Sequence, residues 1–322
     1  MFSVTVNNLL YQIHEFYGGD GFLFEPSPEY YFKETEDAIM DNLQWYPGHM
    51  AKTRRLIEEN LKFIDAVVEI TDARIPMSSR NPCFDDMIKN KPRLIIMNKY
   101  DLADSKICDK WGVYFQKNGI KVLPVSCETG MGVNKIAPIL NEMFKERIER
   151  DKEKGLTRPI RIMIIGIPNV GKSTLINRLS KRAIAKTGDR PGVTRTKQWV
   201  RLKDGLEMLD TPGILPPKFD DQNIAKKLAF TGAIKDEILE TELLCYDFLE
   251  LLRDSYKENL MERYKLKDDI KDKKGYEILE MISRKRGLVI SGGELDTERG
   301  ANIIFDEFRS AKIGRITLEQ PN

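Results

Sequence analysis

Histidine is nearly absent from this chain: His14 and His49 are the only two in 322 residues. Cysteine is scarce as well, and Cys83, Cys108, Cys127 and Cys245 are scattered without CxxC spacing. Together these shortages exclude an ordinary zinc cluster and argue for free thiols in a reducing compartment. No apolar run approaches the roughly 18 residues of a membrane span, and the amino terminus has no basic stretch leading into an apolar signal core. The default location is therefore the cytoplasm, with no membrane partner. Charge of one sign is not in excess, since 52 basic residues face 50 acidic ones. Net charge alone announces no nucleic-acid partner, so a basic surface must come from local clustering.

What the chain does have is length and a 41% hydrophobic fraction, enough for two ordinary domains with sizeable cores. Residues 1–42 mix aromatics and acids around Gly18-Gly19 and Pro26-Ser27-Pro28, with a short helix expected near Asn7–Phe16, and read as an extension of unknown role. From Phe63 short β-branched runs take over: Ala66–Ile70, Leu94–Met97, Val122–Val125 and Ile162–Ile165. Such runs suit strands buried on both faces of a parallel sheet. Between them, Val133–Glu149 carries Ile136, Ile139, Leu140, Met143 and Phe144 at helical spacing, so the region reads as a doubly wound α/β domain. Lys197–Leu202 and Leu206–Leu209 flank Lys203-Asp204-Gly205 as a hairpin.

After Gly213 the composition shifts. Pro212, Pro216 and Pro217 punctuate the chain, and the remainder reads as helical. Ile238, Cys245, Phe248, Leu249 and Leu252 share one helix face, and Asp296 can cap a final helix that turns Ile304, Phe305 and Phe308 inward and stops near Gly314. The division expected is an α/β domain over residues 43–215 and an all-helical C-terminal domain over 216–322.

The strongest motif is Gly166-Ile167-Pro168-Asn169-Val170-Gly171-Lys172-Ser173, which follows an expected strand and opens a helix containing Leu175, Ile176 and Leu179. Glycines let backbone N–H groups wrap phosphates, and the helix amino terminus adds a favourable dipole. Asn169, Val170, Gly171, Lys172, Ser173 and Thr174 are the expected phosphate contacts, with Lys172 on the β and γ phosphates and Ser173 on Mg²⁺. Asp210-Thr211-Pro212-Gly213 closes the strand Leu206–Leu209. Asp210 suits Mg²⁺, and Gly213 suits an N–H contact to the γ-phosphate. Thr194, in the loop between the two motifs, is the candidate threonine that ligates Mg²⁺ only with the triphosphate, Thr196 being a near competitor.

Asn98-Lys99-Tyr100-Asp101 directly follows the run Leu94–Met97. A carboxylate at Asp101 can accept hydrogen bonds from guanine N1–H and the 2-amino group, which adenine does not offer, so this NKxD pattern selects GTP over ATP. Ser126-Cys127-Glu128 follows Val122–Val125 and suits a loop whose backbone N–H meets guanine O6. The base-reading elements thus precede the phosphate loop, a circular permutation of the usual order. A doubly wound sheet tolerates it, because packing fixes the strand positions and termini can be reopened at surface loops.

Gln44-Trp45-Tyr46-Pro47-Gly48-His49-Met50-Ala51-Lys52, Asp72-Ala73-Arg74-Ile75-Pro76, the permuted order and Arg309-Ser310-Ala311-Lys312-Ile313-Gly314-Arg315 together resemble the ribosome biogenesis GTPase A family, also called YlqF. The resemblance implies an assembly GTPase that docks on the immature large ribosomal subunit, contacts ribosomal RNA and hydrolyses GTP, with Mg²⁺ as cofactor; a monomer is expected. Basic groups at Lys52, Arg54 and Arg55, at Lys181, Arg182, Lys186 and Arg190, and at Arg284, Lys285 and Arg286 are compatible with RNA contact. The residues after the DxxG pattern are Ile214 and Leu215, which offer no glutamine to orient water; the resemblance points to His49 for that role, beside Lys172 as the other catalytic residue. Asn169 matches an asparagine of potassium-stimulated GTPases and is the candidate K⁺ ligand. The alternative function is a GTP-gated RNA scaffold with negligible turnover.

Overall fold

The chain divides into two compact units, Met1–Asn42 and Leu43–Asn322. The computed structural model describes residue 55 and residues 57–88, 91–180, 199–202, 204–209, 222–234 and 241–321. The extension, its expected helix, His49, Thr194, Asp210 and Gly213 lie outside these.

Among the described residues six strands form one sheet, in the order β3-β2-β1-β4-β6-β5. They are β1 (Ala66–Asp72), β2 (Arg93–Asn98), β3 (Lys121–Pro124), β4 (Ile160–Ile165), β5 (Trp199–Arg201) and β6 (Leu206–Leu209). All neighbours run parallel except the edge hairpin β5–β6. Its turn places Asp204 at φ 58° and Gly205 at φ 76°, both in the left-handed region. Every residue of β1 is buried, as suits the centre of a sheet covered on both faces.

Register sorts the core. Val67 and Glu69 on β1 face the same way as Ile95 and Met97 on β2 and Met163 and Ile165 on β4. On that face one apolar cluster gathers Ile57, Ile64, Val67, Phe84, Met163 and Ile165, and another gathers Ile95, Met97, Ile107, Trp111 and Phe115. Glu69 stands between them, paired with Arg80 and Arg93 at 3.2 Å each, so a carboxylate in the sheet core is compensated on both sides. Val68, Ile70, Ile96 and Ile164 turn to the opposite face and are equally buried.

The flanking helices are α1 (Pro82–Ile88), α2 (Ser105–Lys117), α3 (Ile136–Met143), α4 (Lys145–Glu153) and α5 (Lys172–Ser180). The single helix expected over Val133–Glu149 is broken. Val133–Lys135 is a 3₁₀ turn, and Phe144 at φ −115° separates α3 from α4. Apolar periodicity ends at that point, and α4 is held instead by charge, through Arg147 with Asp65 and Arg158 with Asp151.

Beyond the sheet come α6 (Gln222–Phe230), α7 (Thr241–Tyr264), α8 (Gly275–Arg286) and α9 (Thr297–Arg309). Cys245, Phe248, Leu249 and Leu252 are buried on α7, which is kinked at Tyr256; Ile238 lies outside the described residues. Asp296 caps α9 by accepting from Arg299 N, as its side chain suggests. The helix ends at Arg309, five residues before the expected stop at Gly314. The N–H groups of Ala311 and Lys312 fold back onto the carbonyls of Phe308 and Glu307, with Ala311 left-handed at φ 55°. Residues 310–321 are then not helical, and they return to the sheet.

Phe230, Phe248, Phe305 and Phe308 stack as the aromatic centre of the helical part, with ring centroids 4.8 to 6.1 Å apart. Glu307, on the same helix, is buried against Arg263 and Arg286 at 2.5 and 2.6 Å. Burial alone would raise this carboxyl, but the hydrogen bonds from Arg263 and Arg286 bring it from 4.5 down to about 2. A lowered folded-state value means that the stabilisation is complete above pH 4.5 and is lost as pH falls toward 2. Acid titration of unfolding free energy for Glu307→Gln should therefore show a flatter slope in that window than the parent does.

Candidate functional site

Parallel strands send their carboxyl ends to one edge, and the order β2-β1-β4-β6 places the topological switch between β1 and β4, where such sheets bind ligands. Asp72 ends β1 and Asn98 ends β2, while the phosphate loop leaves β4 beside them.

The loop conformation is set by two glycines. A Cβ on Gly166 would stand 2.7 Å from the carbonyl oxygen of Ile70. Gly171 adopts φ 97°, and a Cβ there would meet Asn98 Nδ2 at 2.2 Å. Helix α5 begins at Lys172, so the N–H groups of its first turn have no intrahelical partner and present a positive dipole end. Ser173 is exposed in that turn. Residues of this chemistry fit a polyphosphate with Mg²⁺ on the serine hydroxyl. Asn169 is left-handed at φ 59°, and its Nδ2 donates to Gly232 O at 3.1 Å, which directs Oδ1 as the atom able to meet a cation.

Asn98 joins three loops. Its Nδ2 donates to Val170 O at 2.6 Å, although the two residues are 72 apart in sequence, and its Oδ1 accepts from Cys127 N at 2.8 Å. The side chain is buried, so both bonds are made away from water. Of the backbone N–H groups in the loop expected to meet guanine O6, that of Cys127 is thus engaged by Asn98, and any contact it made with the base would be shared. Ser126 is fully buried, and its hydroxyl accepts from Thr129 N at 3.2 Å, which shapes the same loop. Asp101 is half-buried in the 3₁₀ turn Tyr100–Leu102. It lies near enough to Cys127 to act on its thiol: burial pushes that thiol up to about 12, Arg178 opposing and Asp101 adding to the rise.

Sequence reasoning did not anticipate three supports of this edge. Lys99 sits at φ 60° with its ammonium 3.0 Å from Asp72 Oδ2. Asp72 also accepts from Arg74 at 2.7 Å. Burial would raise the Asp72 carboxyl, but Arg74 and Lys99 hold it well below the usual carboxylate range. Arg74 in turn donates to Thr231 O and lies over the Phe308 ring, linking this pair to the helical part. Arg178 on α5 donates to the carbonyls of Cys127 and Glu128 and braces the base loop from the phosphate helix. Arg315 reaches the carbonyls of Tyr100 and Ala103, around Asp101, from the C-terminal segment. Asp72, Arg74 and Arg315 were visible only as parts of motifs, and Arg178 carried no local signal.

Of the basic groups, Arg286 is committed to Glu307, which leaves Arg284 and Lys285 exposed beside Lys265, Lys267 and Lys273 along an open cleft. Residues 52, 54, 181, 182, 186 and 190 lie outside the described residues. Cys108, Cys127 and Cys245 are free and buried. Among the described residues no helix is long and apolar enough to cross a membrane.

A phosphate loop at the switch point, followed through the sheet by an NKxD loop that stands earlier in sequence, defines a P-loop GTPase domain in circularly permuted order, continued by a helical region. A family model described as 50S ribosome-binding GTPase matches residues 161–281, and one described as RsgA GTPase matches residues 87–220. Ribosome biogenesis GTPase A of Bacillus licheniformis is 48% identical over 280 residues, covering 87% of this chain and 98% of that protein. Its counterpart in Thermotoga maritima is 32% identical over 279 residues, covering 87% and 95%. The GNP-bound structure of YlqF from T. maritima superposes with a TM-score of 0.57 at 30% identity, over 84% of this chain and 99% of that one. The chain belongs to the ribosome biogenesis GTPase A family.

Proposed function

We propose that this chain binds Mg²⁺·GTP at the carboxyl edge of its sheet and hydrolyses it as a cytoplasmic, monomeric switch in late assembly of the large ribosomal subunit, docked on the subunit precursor and its RNA. The observation that carries the reading is the Asn98 bridge, which ties Val170 of the phosphate loop to Cys127 of the base loop. A nucleotide lying along that edge meets phosphate donors at one end and Asp101 at the other. In this reading residues 43–215 form the GTPase domain, and residues 216–322 form a helical domain whose Arg284 and Lys285 face RNA.

Lys172 places its ammonium against the β and γ phosphates, where negative charge builds as the terminal bond breaks. The N–H groups of Gly171 to Thr174 hold the remaining phosphate oxygens. Ser173, Asp210 and Thr194 would hold Mg²⁺, which would supply neutralisation of phosphate charge. Gly213 contacts the γ-phosphate. Asp101 reads guanine, Lys99 runs beside it, and the loop Ser126-Cys127 closes over the ring. The family resemblance supports His49 as the residue that positions the water, Ile214 and Leu215 offering no side chain for it.

Phosphate release measured with and without large-subunit precursors tests the switch. The parent chain should accelerate severalfold on the particle, and His49→Ala should keep its GTP affinity but lose that acceleration. Equal, negligible release under both conditions would favour a scaffold, which the GTPase names of the relatives do not. Asn169 is proposed to hold K⁺ through Oδ1; turnover should be faster in K⁺ than in Na⁺ buffer, and identical rates would remove this ligand from the account.

A further inference from the structure

The run Arg309-Ser310-Ala311-Lys312-Ile313-Gly314-Arg315 takes no part in the chemistry above, yet it carries the chain back to the base-reading loop. Gly314 makes the turn at φ 133°, where a Cβ would stand 2.3 Å from Asn259 Nδ2. Arg315 then donates from Nη2 to Tyr100 O at 2.7 Å and from Nε to Ala103 O at 2.9 Å. Its guanidinium lies 5.4 Å from the centre of the Tyr100 ring. The two carbonyls bracket Asp101 and Leu102, so one rigid fork spans the turn that carries the base-reading carboxylate.

That turn has little of its own to hold it. It is a single 3₁₀ turn entered through left-handed Lys99, closed by Leu102 N to Lys99 O at 2.9 Å and a longer 3.3 Å bond from Ala103 N to Tyr100 O. The segment behind Arg315 is anchored independently. Ile316 N donates to Leu102 O, Leu318 N to Arg74 O and Trp111 Nε1 to Glu319 O, while the Glu319 carboxylate accepts from Met77 N at 2.7 Å. The Tyr256 hydroxyl at the kink of α7 both donates to Thr317 O and accepts from Thr317 N. Truncating the Arg315 side chain therefore leaves the segment docked and removes only the fork.

We propose that Arg315 is a positioning residue of the guanine site, holding the Tyr100–Ala103 turn so that Asp101 is aimed at the ring. The inference rests on Asp101 being the base reader. It follows that the C-terminal segment sets how well guanine is distinguished from a ring lacking the 2-amino group. A planar two-donor fork suits two carbonyls at once, whereas a lysine ammonium is a point charge and holds one at a time.

The test uses the full chain with Arg315→Ala, Arg315→Lys and Asp101→Ala, titrated with GDP and with inosine diphosphate, alongside melting temperature and steady-state GTP turnover. Arg315→Ala should weaken GDP about tenfold, while inosine diphosphate, which keeps N1–H but has no 2-amino group to lose, should weaken less, so the preference between them falls. KM for GTP should rise with kcat unchanged, the melting temperature should stay near the parent value, and Arg315→Lys should recover part of the preference. Should the alanine variant fold poorly, Arg315→Gln, which keeps one donor, is expected to lose preference in the same direction. A preference retained in the Arg315 variants but lost in Asp101→Ala overturns the proposal alone. A preference retained in Asp101→Ala overturns the base-reading assignment beneath it.

Discussion

Asn98→Ala should weaken GDP and GTP binding about a hundredfold. The substitution removes two hydrogen bonds made in a buried setting and leaves Val170 O and Cys127 N without the partner that joins them. An unpaired buried backbone group costs about 1 to 3 kcal/mol, so the pair amounts to roughly 3 kcal/mol, or two decades in affinity. The loss falls on binding because the bridge holds the phosphate loop and the base loop in mutual register. Isothermal titration with GDP reads it directly. Asn98→Asp keeps the shape but sets a carboxylate oxygen against Val170 O, and it should bind no better than the alanine variant. Parent-like affinity in either variant would mean that the two loops hold their positions without Asn98.

A larger change in selectivity is expected from Asp101→Asn. The carboxylate only accepts, which matches the two adjacent donors of guanine, N1–H and the 2-amino group. An asparagine amide offers one donor and one acceptor, and that pattern matches xanthine, whose 2-oxo group replaces the amine. Charge-assisted hydrogen bonds contribute about 1.5 to 3 kcal/mol each, so GDP should weaken by a hundredfold or more while xanthosine diphosphate gains. Adenine nucleotides should stay weak in both proteins. The phosphate loop is untouched by the change, so inorganic triphosphate serves as the internal control.

The sheet was legible because β-branched runs end in polar motifs: the strand from Arg93 hands over to Asn98, and the strand from Ile160 hands over to Gly166. The permutation was legible for the same reason, since motif order is a property of the chain and not of its folding. The interruption at Phe144 was not, because Ile136, Leu140 and Phe144 keep one helical spacing right up to it. Helix α9 ended early at a left-handed alanine where a glycine would have given the stop away. Arg178 was silent, and Arg315 stood in a motif that did not show its role, because each acts on backbone carbonyls, which exist at every position and leave no pattern in the residues they hold. Asp72 stood in plain view, but its pairing with Lys99 joins two loops that only the sheet brings together.

The permuted chain is held to build one pocket in which Asp101 reads the ring while the helix starting at Lys172 holds the phosphates. Competition between GDP and xanthosine diphosphate, measured on Asp101→Asn beside the parent chain, addresses this most directly. The parent should prefer GDP and the variant xanthosine diphosphate, with equal affinity of both proteins for inorganic triphosphate. An unchanged preference for GDP in the variant would contradict it.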